Sequence, residues 1–218
     1  MPSPQQILEG LSAIATEWRW LAIIWHVLLG AAILAYVSGW RPRRRFAGLV
    51  LVAPMASVSA LAWQAGNPFN GAVFAILAVL LFVVAAGLPR SAVRPASVGF
   101  SVAGAVLVVF AWVYPHFLPD GAWFRYLYAA PVGLVPCPTL SLVIGLSLLF
   151  GGLGSRLWAG VLSASGLVYG LIGWLRLGVA IDAILLVGAI TAGILAAREP
   201  VLARSDVTPA ETGPSPSE

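Results

Sequence analysis

Few side chains in this sequence can do chemistry. The 218 residues contain two histidines, His26 and His116, and a single cysteine, Cys137, which stands between Pro136 and Pro138 and ahead of Thr139. Asp182 lies inside an apolar run, where an ionisable group is a functional candidate by default. Thiol, imidazole and carboxylate together suit a soft transition metal such as copper or zinc, with Cys137 and His116 as the pair that would hold it. No two of these residues have the sequence spacing of a metal motif, and two histidines ligating one haem is a further option. The same groups around a cavity would bind a small solute or ion, so His26, His116, Pro136, Cys137, Thr139 and Asp182 form the candidate substrate-binding set. A cysteine with a distant histidine is the minimum for a nucleophile, but nothing supplies an oxyanion hole, and no catalytic residue is assigned. Each group also has a plainer role. His26 suits a satisfied interior position, His116 an interfacial loop, Asp182 a pairing with Arg176 or His26, and Cys137 a small residue in a proline-shaped bend.

Membrane-spanning helices must position these residues. Hydrophobic residues make up 60% of the chain and charged residues 9%, against about 25% charged in soluble domains. Seven apolar segments follow one another: Trp20–Trp40, Phe46–Trp63, Gly71–Leu88, Ala96–Val113, Tyr128–Phe150, Leu157–Leu175 and Leu177–Ala197. Each is long enough to cross a hydrocarbon core of about 30 Å at about 1.5 Å per residue. The expected architecture is all-α: a polytopic bundle over residues 20–197, preceded by an amphipathic interfacial helix over 1–19 and followed by a disordered cytoplasmic tail over 198–218. Ser3, Pro4 and Gln6 suit the N-cap, N1 and N3 positions of that first helix. The N-terminus lacks the basic stretch of a cleavable signal, so the first span is expected to be retained.

All twelve basic residues are arginine, and no lysine is present. This excludes a retinal Schiff base, lysine nucleophiles and Walker-type phosphate loops. The net charge of +4 does not indicate nucleic-acid binding, because the arginines lie at segment ends, where they set topology. With Arg41, Arg43, Arg44 and Arg45 held in the cytoplasm, alternation puts nine arginines inside and three (Arg19, Arg125, Arg176) outside. The N-terminus is then outside and the C-terminus inside. His26 and Asp182 fall roughly 9 Å and 8 Å below the outer boundary by helix rise. Prolines 131, 136 and 138 predict a chain running irregularly through Pro131–Pro138 and a fifth span broken at Pro136–Pro138, with Asp120 capping a short helix over Ala122–Ala130 and Thr139 capping a half-helix to Phe150. The polar candidates thus gather in the outer half of the bilayer. Small residues at Gly166/Gly170, Gly99/Ala103 and Ala53/Ser57/Ala60 predict helix contacts, and Pro54 predicts a kink.

The segment PVGLVPCPTLSLVIGLSLL resembles a widespread family of bacterial multi-pass membrane proteins in which a Cys-Pro-Thr motif opens an apolar helix, here Cys137, Pro138 and Thr139. Leu140 stands where that family carries a second threonine. The resemblance covers about twenty residues and implies a multi-pass protein of the bacterial plasma (inner) membrane. Three functional readings stand side by side. The first is a small permease-like or solute-binding protein, with a small solute or ion and the lipid bilayer as partners. The second is a metal-binding or redox membrane protein using Cys137 and the histidines. The third is a non-catalytic assembly partner, and an oligomer is compatible with each.

Overall fold

The first helix begins where the capping residues place it. In the computed structural model, which describes residues 3–118 and 123–204 (backbone alone for 199–204), α1 spans Pro4–Glu17. Ser3 Oγ accepts from the Gln6 amide at 3.2 Å, and the Ser3 amide donates to Gln6 Oε1 at 2.8 Å. Both otherwise orphaned donors are satisfied. α1 turns one apolar face inward, burying Leu11, Ile14 and Ala15.

Each of the seven apolar segments contains a helix: α2 (Arg19–Val37), α3 (Arg44–Gln64), α4 (Pro68–Gly87), α5 (Val98–Val113), α6 (Tyr126–Ala129) followed by α7 (Pro136–Leu149), α8 (Arg156–Leu171) and α9 (Ala183–Arg204). A π-helical turn over Ile172–Arg176 extends α8, and a 3₁₀ turn over Ala180–Asp182 leads into α9. Among the described residues there is no strand, and five helical stretches are long and apolar enough to cross a membrane. α5 and α7 are shorter apolar helices. α9 runs on through Arg204, and residues 205–218, on which most of the expected tail falls, lie outside the described part. Asp120 lies outside it too.

α7 is the centre of the bundle. Every residue from Pro136 to Leu148 is buried, against α5, α8, α9 and α3. Its fourteen residues rise about 21 Å, less than a bilayer core. An irregular segment, Ala130–Val135, precedes it and is itself wholly buried. Its amides are satisfied locally: Val132 donates to Ala130 O (2.7 Å) and Val135 to Pro131 O (3.2 Å). Non-helical backbone at such depth persists where protein surrounds it.

This relocates the expected break. Pro136, Cys137 and Pro138 are not the interruption; they form the first turn of α7, with Val135 as N-cap. Amides in a first turn have no intrahelical acceptor, so proline's missing donor costs nothing there and its fixed φ starts the helix. Thr139 is therefore one turn inside rather than a cap. Its hydroxyl donates to Val135 O (2.7 Å) and accepts from the Gly133 amide (2.9 Å), fastening the irregular segment to the helix. The short helix before the break comprises a 3₁₀ turn, Trp123–Arg125, and α6.

Two of the expected small-residue faces are used only in part, Ala103 packing against the core and Ser57 meeting Trp25 of α2. Gly99 faces open space, and Ala53 and Ala60 are exposed. Backbones approach closely instead between α5 and α7, where a Cβ added at Gly104 would lie 2.6 Å from Gly145 O. Gly166 and Gly170 do serve packing, against Ala189 and Leu186 of α9. Pro54 is buried within α3, which runs without interruption from Arg44 to Gln64.

The connections sort to two ends. At one, the loop before α3 meets the loop before α5 through the Val93 amide and Pro42 O (2.8 Å), and Ala96 reaches the end of α7 at Leu149 O (3.3 Å). At the other, α1, the α3–α4 turn, the segment after α5 and the α8–α9 turn converge.

Candidate functional site

A cavity of about 290 Å³ opens at the end where α1 lies. The first turn of α7 supplies Pro136 and Cys137, the π-helical turn supplies Gly173 and Arg176, and the 3₁₀ turn before α9 supplies Asp182. Asn70 and Tyr169 line it from α4 and α8, and Ile7 and Leu11 form the wall contributed by α1. Most of the lining is apolar.

Asp182 is the anchor of the polar part. It is 1% exposed and accepts a hydrogen bond from the Tyr114 hydroxyl at 2.6 Å. The Cys137 side chain lines the same cavity beside this carboxylate. Tyr114, directly after α5, is fully buried and stacks against Phe117 with ring centroids 6.0 Å apart. Gly173 is there because nothing larger fits: an added Cβ would overlap the Asp182 carboxylate. The π-helical turn thus brings a residue without a side chain against the buried acid. A second polar pair, Tyr169 donating to Asn70 Oδ1 at 3.0 Å, joins α8 to α4 beside the same cavity.

The sequence-derived candidates separate into three groups. Pro136, Cys137 and Asp182 come together at the cavity. Thr139 is fully buried behind them, holding the irregular segment, and His116 sits half-buried within electrostatic reach of Asp182 without lining the cavity. Burial pushes the His116 imidazole below its ordinary value, and the negative charge of Asp182 partly opposes this. His26 is elsewhere. Its Nδ1 lies 2.8 Å from Ala22 O and its Nε2 3.0 Å from Trp112 O, with the ring edge-on to Trp112, so it ties α2 to α5. Asp182 accepts from Tyr114, and His26 bonds elsewhere.

Tyr114, Asn70, Tyr169 and Gly173 escaped the sequence reading. Asn70 carried a signal, as a polar residue three positions after the helix-capping Asn67 and just before an apolar run. Tyr114, just after the fourth apolar segment, carried no signal of its own. Among the described residues, no group of three His, Cys, Asp or Glu is arranged to hold a metal ion. Cys137 and Asp182 alone make an incomplete donor set, whereas a thiol, a carboxyl group and an amide at the base of an apolar cavity can orient a small molecule.

No protein-family model, curated protein or solved structure matches the chain, so its functional reading rests on the geometry of this cavity.

Proposed function

We propose that the chain is a seven-span protein of the bacterial plasma membrane, with its N-terminus outside and C-terminus inside, that binds a small solute in a permease-like manner at the Cys137–Asp182 cavity. One observation carries the reading. The buried Asp182 carboxylate, which accepts from Tyr114, and the Cys137 thiol together border a cavity of about 290 Å³ at one end of the bundle. A pocket with apolar walls and a few convergent polar groups is the usual form of a small-molecule site. The ligand it fits is largely apolar with one hydrogen-bonding group for Asp182 or Asn70. The break before α7 supports the reading, since interrupted helices commonly build such sites in transporters. The excess of arginine at the opposite end supports the orientation.

The lone thiol reports directly on the cavity. Methyl methanethiosulfonate, a small thiol reagent, is expected to modify Cys137 in the folded, detergent-purified protein. A panel of small amphipathic solutes should contain members that slow this modification in the wild type and not in Asp182→Asn. Labelling only after unfolding, or no protection by any member, would reject the reading.

A further inference from the structure

The arginine-rich end carries a second feature, independent of the Cys137 cavity. Arg41, Arg43, Arg45 and Arg90 line one open concavity of about 530 Å³, together with Trp40 and Phe46. The loops that bring them together are fastened by the Arg44 amide donating to Ser91 O at 2.9 Å. Arg41, Arg43 and Arg90 are exposed, as are the rings of Trp40 and Phe46, which meet edge to face at 6.1 Å. No carboxylate among the described side chains neutralises this group. Glu9, Glu17 and Asp182 all belong to the α1 end, or to the helices and turns that converge on it.

An apolar groove of about 310 Å³ continues from the same place, sharing Trp40, Pro42 and Phe46 with the arginine concavity. It runs between α2 and α3 down to Leu29, and Leu146 and Phe150 of α7 also line it. The groove exists because α2 reaches the bundle through long side chains. Trp25 Nε1 donates to Ser57 Oγ (3.3 Å), and the Tyr36 hydroxyl donates to Leu149 O (3.3 Å). Between these tethers α2 presents Ala32 and Ala35, which are too small to fill the gap. From Leu29 to Tyr36 the helix rises roughly 10 Å, a depth suited to hydrocarbon.

We propose that the α2–α3 groove and its arginine mouth bind one anionic phospholipid, with the headgroup phosphate among Arg41, Arg43, Arg45 and Arg90 and an acyl chain along Ala32 and Ala35. Charge complementarity identifies the occupant. A soluble anion would use the mouth and leave the groove empty, and a zwitterionic lipid would use the groove without matching the positive charge. Guanidinium groups bind phosphate through paired N–H donors, and basic pockets beside membrane helices recognise acidic headgroups. Trp40 and Phe46 lie at the level expected of interfacial aromatics.

Native mass spectrometry of the full chain in detergent tests this, with dioleoylphosphatidylglycerol and dioleoylphosphatidylcholine as probes. The wild type should retain one phosphatidylglycerol with at least roughly tenfold preference over phosphatidylcholine. Arg43→Gln/Arg45→Gln/Arg90→Gln should lose the preference, while Ala35→Trp should weaken retention of both lipids. If the triple variant is not monodisperse, Arg90→Gln alone, a change at one exposed side chain, should lower the preference. Equal retention of the two lipids, an Arg variant with undiminished preference, indifference to Ala35→Trp, or displacement by an equal concentration of inorganic phosphate would each overturn the proposal.

Discussion

Tyr114 and Asp182, separated by 68 residues, close a 2.6 Å hydrogen bond that joins the end of α5 to the start of α9. The phenol is held by ring contacts with Phe110 and Phe117, so Tyr114→Phe removes the donor and little else. A buried carboxyl group deprived of a partner costs about 1–3 kcal/mol. Thermal unfolding of the detergent-purified variant should show a loss of that size. An unchanged melting temperature would mean that the bond contributes nothing to stability.

Gly173→Ala should be far more damaging than an ordinary glycine replacement. Its methyl group would enter the space of the Asp182 carboxylate, and overpacking of this kind costs about 1–3 kcal/mol. Gly10, in α1 with open space around its Cα, provides the contrast: Gly10→Ala should stabilise by about 0.5–1 kcal/mol. Opposite shifts in melting temperature are expected, and shifts of the same sign would refute this view of Gly173.

Stability should fall with mild acidification through His116. Its imidazole titrates below the ordinary 6.5 in the folded chain because burial disfavours the cation, with Asp182 acting in the opposite sense. Between the folded and unfolded values the unfolded chain binds more protons, so stability rises with pH there. The contribution is complete above 6.5 and is lost as pH falls through that value towards the folded one. His116→Gln should flatten the decline in melting temperature between about pH 7.5 and 5.5. Parallel profiles for variant and wild type would rule out His116 as the source.

The proposed orientation predicts which loops an impermeant maleimide reaches in intact cells. In a Cys137→Ser background, a cysteine at the exposed Gln64, in the last turn of α3, should be labelled from outside. One at the exposed Ser91, beside Arg90, should be labelled only after the membrane is opened. The reverse pattern would invert the topology.

The helices were legible because a run of apolar residues long enough to cross lipid has few other uses. The start of α1 was legible to the residue, since the Ser3–Gln6 capping box is a local device that needs no partner elsewhere. The prolines around Cys137 misled because the same residue breaks a helix interior and begins a helix; which it does depends on the acceptors available to neighbouring amides. Gly99/Ala103 and Gly104 show a similar limit. Spacing identifies a smooth helix face, but only the partner, here Gly145, selects which face is used. Asp182 stood out as an intramembrane carboxylate. Tyr114 did not stand out with it, because their pairing exists only once α5 and α9 are packed around α7.

The complete burial of α7 also constrains how the protein is made. A fourteen-residue segment rising about 21 Å is a poor independent candidate for insertion when it leaves the ribosome. Two of its principal neighbours, α8 and α9, are synthesised after it. A nascent chain stopped before Arg156 would hold its innermost helix against α5 and α3 but with the sides covered by α8 and α9 left bare. Premature termination in the last third of the coding sequence should consequently yield a chain for membrane quality control to remove rather than a smaller working protein.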